Sequence, residues 1–162
     1  GELFDKGKYF LPQLIASAET MKLCIGILEP LLLQEQTSEK MPVVVIATVA
    51  GDIHDIGKNI VCLLLGNHGF DVIDAGKDVP AEQIVACALE HKARIIGLSA
   101  LMTTTMVRME DTIRLVRERN LPIKVLVGGA AVTQAFADAI GADAYCEDAV
   151  SAVRAAKQFV TG

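Results

Sequence analysis

There is no tryptophan in this chain of 162 residues, and aromatic side chains make up only 4% of it. Its 52% of hydrophobic residues is therefore largely aliphatic: Val, Ile, Leu and Ala. That balance suits a parallel sheet buried between Ala-rich helices, and a charged fraction of 22% speaks against disorder. No apolar run reaches the roughly 18 residues that a membrane span needs. The best window, Leu23 to Leu33, is broken by Glu29 and Pro30, so no membrane partner is expected. Lys and Arg do not cluster, and the formal net charge is −5, which argues against nucleic acid as a partner. The four cysteines, Cys24, Cys62, Cys87 and Cys146, contain no CxxC and no zinc or disulfide spacing. Reduced thiols in a cytoplasmic protein are the expectation. No signal-peptide pattern, GxGxxG fingerprint or GxxxxGK phosphate loop is present, which disfavours ordinary nucleotide binding. There is also no initiator Met: the chain starts at Gly1 and runs at once into helix-like sequence.

What is there falls into two segments. In residues 1–40, Leu14, Ala18, Met21, Ile25, Leu28 and Leu32 recur in steps of four and three, the spacing of one helix face. Pro12 stands where a first turn tolerates proline, and Pro30 should kink or end the helix. A shorter piece, Glu2 to Lys6, stops at Gly7, and Gln34 to Pro42 reads as a linker. In residues 41–162 the pattern changes. Val43 to Val49 is a near-continuous β-branched run, as expected of a strand buried on both faces. Further strands are expected at Asp71–Asp74, Arg94–Ser99, Lys124–Val127 and near Ala144–Tyr145. Helices are expected between them, at Lys58–His68, Ala81–His91, Thr105–Arg119 and Thr133–Ile140, with a last one at Asp148–Phe159. Alternation at this spacing predicts an α/β fold with a doubly wound, five-stranded parallel sheet. Ligands of such sheets bind beyond the carboxyl ends of the strands, so the loops there are the ones to search.

The first of these loops is Gly51-Asp52-Ile53-His54-Asp55-Ile56-Gly57-Lys58. Asp52 is close enough to accept a hydrogen bond from one imidazole nitrogen of His54, leaving the other as a metal ligand. A protein-built metal site wants three or four ligands. With one His here, a metal would have to arrive inside its own macrocycle. The third strand ends in Ser99-Ala100-Leu101-Met102-Thr103-Thr104-Thr105, four hydroxyls in seven residues. Helix capping, by Thr105 for instance, and turn chemistry would account for them as well. The fourth strand ends in Gly128-Gly129, which permits close approach of a backbone or a ligand.

Together, Asp52-x-His54-x-x-Gly57, Ser99-x-Leu101 and Gly128-Gly129 resemble the compound signature of cobalamin-binding domains, over about residues 41–160. Residues 1–14, which include Phe4 and Leu11, resemble the end of the helical cap of methionine synthases and of corrinoid proteins in anaerobic methyltransferase systems. The resemblance implies a flavodoxin-like, Rossmann-like domain, preceded by the C-terminal part of a helical cap. The missing initiator Met and abrupt start would then reflect a shortened cap. It implies a cobamide bound base-off, with His54 as the lower axial ligand of cobalt and Asp52 and Thr105 as its relay; the methionine synthases have Ser at the position of Thr105. Gly51, Ile53, Asp55 and Gly57 would complete the ligand loop. Ser99, Leu101 and Thr103 would lie along the displaced base and nucleotide tail, with Gly128 and Gly129 making room for it and Ala149 touching it. Phe4 and Leu11 would shield the methyl face.

The implied role is a methyl carrier between a substrate-specific methyltransferase and a methyl-accepting one, serviced by a reductive activator. The His54–cobalt bond would form and break on each turnover. A methionine synthase module and a cobamide-sensing regulatory domain are the alternatives, and a flavodoxin-like domain without cobamide is a third. Among the remaining residues, His68 and His91 read as solvated helix ends, and Met102, Met106 and Met109 as core filler. Asp78, Asp111 and the Arg114, Arg117, Arg119 group read as solvated helix faces.

Overall fold

The computed structural model describes residues 11–32 and 41–161. The chain divides into two units, Gly1–Glu35 and Gln36–Gly162. In the first, α1 spans Leu11–Leu32. Pro12 lies in its first turn, where no intrahelical N–H bond is lost, and the helix stops two residues after Pro30. Met21 and Leu28, from the expected stripe, are exposed on α1, and so are Leu23 and Ile27, which lie off it. The apolar character of α1 is thus spread around the helix. The short piece expected at Glu2–Lys6 and residues 33–40 of the linker lie outside the described residues.

The second unit runs β1 (Met41–Val49), α2 (Ile56–Asn67), β2 (Phe70–Val79), α3 (Ala81–Glu90), β3 (Ile95–Ser99), α4 (Thr103–Met106), α5 (Met109–Glu118), β4 (Lys124–Gly128), α6 (Gln134–Ala139), β5 (Ala144–Cys146) and α7 (Ala149–Thr161). The five strands form one parallel sheet in the order β2-β1-β3-β4-β5. This is the doubly wound α/β fold expected from the sequence. None of the described helices is long and apolar enough to cross a membrane.

The aliphatic surplus is spent on two cores, one on each face of the sheet. Val45, Ala47 and Val49 of β1 pack with Ile84, Val85 and Ala88 of α3 and with Met109, Ile113 and Val116 of α5. Val44 and Ile46 point the other way, among Leu65 of α2 and Ala152, Val153 and Ala156 of α7. Burial of each such Val, Ile or Leu contributes about 1.5–3 kcal/mol, which explains why β1 alternates between two cores and not between core and water. Strand order reverses between β1 and β3, and the loop from Gly51 to Lys58 follows the carboxyl end of β1 there.

Two elements depart from expectation. β2 extends five residues beyond Asp74, through Ala75-Gly76-Lys77-Asp78-Val79, a stretch of low strand propensity. Pairing with β1 carries it, through register irregularities between Ile46 and Ala47 and between Ala47 and Val49. The helix expected over Thr105–Arg119 is two helices, α4 and α5, broken at Val107-Arg108. Three successive threonines make a poor helix start, and Thr105 is drawn out of capping by a bond described below. The three methionines also divide: Met109 is buried and Met106 packs on the core, whereas Met102 is exposed.

Candidate functional site

Asp52 is the hub of the loop between β1 and α2. It is fully buried (0% exposed), and both carboxylate oxygens are used. Oδ1 accepts the His54 backbone N–H at 3.0 Å and lies 2.7 Å from His54 Nδ1. Oδ2 accepts the Leu101 N–H at 2.8 Å and the Thr105 hydroxyl at 2.7 Å. Burial alone would raise the Asp52 pKa. The bonds from Thr105, from the His54 and Leu101 backbone and from the imidazole outweigh it and hold the carboxyl well below the usual carboxylate range. Because Asp52 stays ionised, its bond to His54 assigns the imidazole proton to Nδ1. Nε2 is then the lone-pair nitrogen of a ring that is 46% exposed.

Thr105 is therefore no helix cap. Its hydroxyl donates to Asp52 and also lies 3.0 Å from the Met102 carbonyl oxygen. The cap position of α4 is held by Met102 and that of α5 by Arg108, neither with a side-chain cap bond. Ile53, 65% exposed, and Leu101, 45% exposed, flank the imidazole along the chain or through Asp52, and Met102 and Val107 add exposed apolar surface nearby in sequence. Asp55 occupies the cap position of α2, with its carboxylate 3.5 Å from Lys77 Nζ, and Gly57 lies in the first turn.

Ser99, at the end of β3, is the register partner of both Thr48 and Gly128. Thr103 is exposed at the start of α4 and Ala149 is half-buried at the start of α7. A Cβ on Gly128 would stand 2.6 Å from the Cys146 carbonyl oxygen. On Gly129, at φ +124°, it would stand 2.0 Å from that of Ala100. Both glycines are thus required by the protein's own backbone before any ligand is considered. Phe4 lies outside the described residues, and of Leu11 only the backbone is described.

Three residues outside the expected set hold this region. Thr48, fully buried on β1, donates its hydroxyl to the His54 carbonyl at 3.1 Å. Lys58 is buried in the first turn of α2, with its ammonium bonded to the Asp74 carboxylate and, at 2.7 Å, to Asn59 Oδ1. Asp78 does not lie on a helix face: it sits near the end of β2 with φ +55° and accepts the Gly51 N–H. Arg117 is no free helix-face charge either, since it bonds Asp143 at 2.6 Å. The signal for Asp78 was its type, because Asp and Asn tolerate left-handed backbone better than other non-glycine residues.

Among the described residues, no three His, Cys, Asp or Glu side chains gather as a cage for a metal ion. The donor set is one oriented imidazole amid exposed apolar side chains. That set fits a metal whose other ligands come with it in a flat, largely apolar ring. His54 would hold such a group from below, and Ile53 and Leu101 would meet its face.

Comparison with known proteins agrees with this chemistry. A family described as B12 binding domain matches residues 42–156, and a second of the same description matches residues 1–29. The chain is 48% identical over 164 residues to dimethylamine corrinoid protein 2 of Methanosarcina acetivorans, covering 100% of this chain and 76% of that protein. The structure of the Methanosarcina barkeri monomethylamine corrinoid protein superposes with a TM-score of 0.87 at 37% identity, over 98% of this chain and 76% of that one. A chain of the methanol:cobalamin methyltransferase complex of Methanosarcina barkeri does so at 0.74 and 35% identity, over 99% of this chain and 62% of that one. An aspartate-clamped histidine, on a parallel sheet that a B12-binding family matches over most of its length, places the chain in a family: it belongs to the cobalamin-binding corrinoid proteins of methyltransferase systems.

Proposed function

We propose that the chain carries methyl groups on a cobamide bound base-off, with His54 Nε2 as the lower axial ligand. The observation that carries this reading is the 2.7 Å contact between His54 Nδ1 and Asp52 Oδ1, which engages Nδ1 and leaves Nε2 of a half-exposed ring for a metal. The cobamide, when bound, supplies a cobalt that accepts and yields the methyl group. The protein's part is to hold and release that metal from one side. Asp52, kept ionised by its donors, retains its negative charge throughout, so the proton stays on the imidazole at Nδ1. The bond at Nδ1 also keeps the ring from turning when Nε2 is not engaged. Thr105 anchors the far carboxylate oxygen, so that Asp52 does not turn with the ring.

We assign residues 41–162 to the cobalamin-binding domain and residues 1–40 to a cap segment whose Phe4 and Leu11 shield the methyl face. The exposed apolar side chains of α1 support that assignment. Ser99, Thr103, Gly128, Gly129 and Ala149 would border the nucleotide tail. As partners we infer a substrate-specific methyltransferase, a methyl-accepting methyltransferase and a reductive activator. The relatives' names make a methylamine the first methyl donor to try. A cytoplasmic setting accords with four cysteines that form no disulfide.

The test is the cobalt(II) paramagnetic resonance spectrum of the protein, loaded with a cobamide whose lower base has no ligating nitrogen. Splitting by one nitrogen is expected in the unsubstituted chain and should vanish in His54→Ala. Splitting that persists in the variant, or is missing from the parent, overturns the ligand assignment.

A further inference from the structure

The loop from Gly51 to Lys58 is also held from the side of β2. β1 and β2 stay in step from the pair Val43–Asp71 to the pair Ile46–Asp74 and then lose register twice, at Ala47–Gly76 and at Val49–Val79. Between Ile46–Asp74 and Val49–Val79, β2 takes in two more residues than β1. Irregularities of this kind twist a strand and re-aim its side chains. Here they turn Lys77 and Asp78 toward the loop. Asp78 adopts φ +55°, a left-handed backbone that costs a non-glycine residue energy and that Asp and Asn tolerate best. Its Oδ1 accepts the Gly51 N–H at 2.6 Å, and its own N–H donates to the Asp52 carbonyl at 2.9 Å. One residue thus grips both ends of the Gly51–Asp52 dipeptide. Lys77, beside it, lies 3.5 Å from Asp55 on the other side of His54.

Asp52 is consequently fixed at every polar handle. Its N–H donates to the Val49 carbonyl at 3.1 Å, its carbonyl is held by Asp78, and its two carboxylate oxygens serve His54, Leu101 and Thr105. A ligand that must leave a metal and return on each cycle needs a base that does not drift while the ring is free. We propose that Asp78 is a positioning residue for the cobalt ligand: turned in by the irregular end of β2, it keeps the Gly51–Asp52 backbone, and through it His54, aimed at the metal. This rests on His54 being that ligand.

The experiment is a spectrophotometric titration with cobinamide, a corrinoid that has no lower base, so that its axial nitrogen can come only from the protein. Asp78→Gly keeps the left-handed backbone and removes the acceptor, whereas Asp78→Asn keeps both. The glycine variant should bind about fivefold more weakly, the change that one lost hydrogen bond makes in an equilibrium. The asparagine variant should bind like the parent. On a His54→Ala background, Asp78→Gly should cause no further loss, because its effect passes through the imidazole. Parent-like binding by Asp78→Gly, an asparagine variant as weak as the glycine one, or an equal loss on both backgrounds overturns the role of Asp78 and leaves the ligand assignment standing. No change in affinity or spectrum on His54→Ala alone overturns the ligand assignment, and the proposal with it. If Asp78→Gly does not fold, amide hydrogen exchange at Gly51 in the unsubstituted chain decides. Protection supports the clamp, and exchange at the rate of a free loop overturns it.

Discussion

Two aspartates stand near opposite ends of the sheet, and both have lowered pKa values for different reasons. Asp143, just before β5, meets Arg117 at 2.6 Å, Lys124 at 2.9 Å and the Val125 N–H at 2.8 Å. Burial would raise its pKa, but those three bonds and the Arg117 charge bring it down. Asp52 reaches the same direction with no lysine or arginine among its bonded partners: its donors are two backbone N–H groups, a hydroxyl and an imidazole. Fixed cations neutralise Asp143, so its charge is spent within the fold. Dipoles hold Asp52, so it remains a net negative charge facing one titratable ring. A carboxylate of the second kind can answer a change of charge on that ring; one of the first kind stabilises and does nothing more.

The largest way to break this contrast is to delete each carboxylate. Asp52→Ala strands the part-buried His54 and Leu101 N–H groups, while Thr105 keeps the Met102 carbonyl as an acceptor. With roughly 1–3 kcal/mol for each stranded donor, urea unfolding of the cofactor-free chain should show a loss of about 2–4 kcal/mol. Asp143→Ala should lose only about 1–2 kcal/mol, because Arg117 and Lys124 are exposed and rehydrate. Repeating both in concentrated sodium chloride sharpens the comparison. Screening should shrink the Asp143 loss and leave the Asp52 loss unchanged. Equal salt sensitivity at the two sites would contradict the distinction between cations and dipoles.

Acid provides a smaller test of the same difference. A carboxyl whose folded pKa lies below its ordinary value of 3.8 contributes stability that is complete above that value. The contribution is lost as pH falls toward the folded pKa. Thermal unfolding should therefore be level with respect to these two groups down to about pH 5, then decline by an amount on the order of 1 kcal/mol by about pH 3. Asp143→Asn should flatten part of that decline at low salt and little of it at high salt. A decline that ignores both aspartates would show that other groups carry it.

How much of this was legible in the sequence depended on how local the cause was. β1 was readable because burial on both faces demands an aliphatic run, and Val43–Val49 is one. The loop motif was readable because Asp52 and His54 are two residues apart and bond within that reach. The second half of β2 was not, since Gly76-Lys77-Asp78 is a strand only by pairing with β1 in irregular register. That same irregularity made Asp78 look like a solvated helix residue. The break between α4 and α5 was not legible, and neither was the bond that takes Thr105 out of capping, which joins positions 53 apart. Gly128 and Gly129 stood out as places of close approach. What approaches them, the Cys146 and Ala100 carbonyls, belongs to neighbouring segments that no local pattern reveals.

The smallest effect separates the two halves of the Thr105 side chain. Its hydroxyl serves Asp52, and its methyl carbon sits where a Cβ on Gly51 would touch it at 3.6 Å, so it covers the turn that leads into the ligand loop. Thr105→Val keeps the shape and removes the donor. It leaves Oδ2 with the Leu101 N–H alone and should destabilise the chain by about 1 kcal/mol, while the Asp52 pKa rises and the acid decline begins at higher pH. Thr105→Ser keeps the donor and loses one methyl group, worth roughly 0.8 kcal/mol if fully buried. Its acid profile should match the parent's, because the carboxylate keeps all its donors. If the serine variant shifts the acid profile as far as the valine one does, the methyl group is what aims the hydroxyl. Threonine would then be part of the geometry at this position, and serine would be no equivalent.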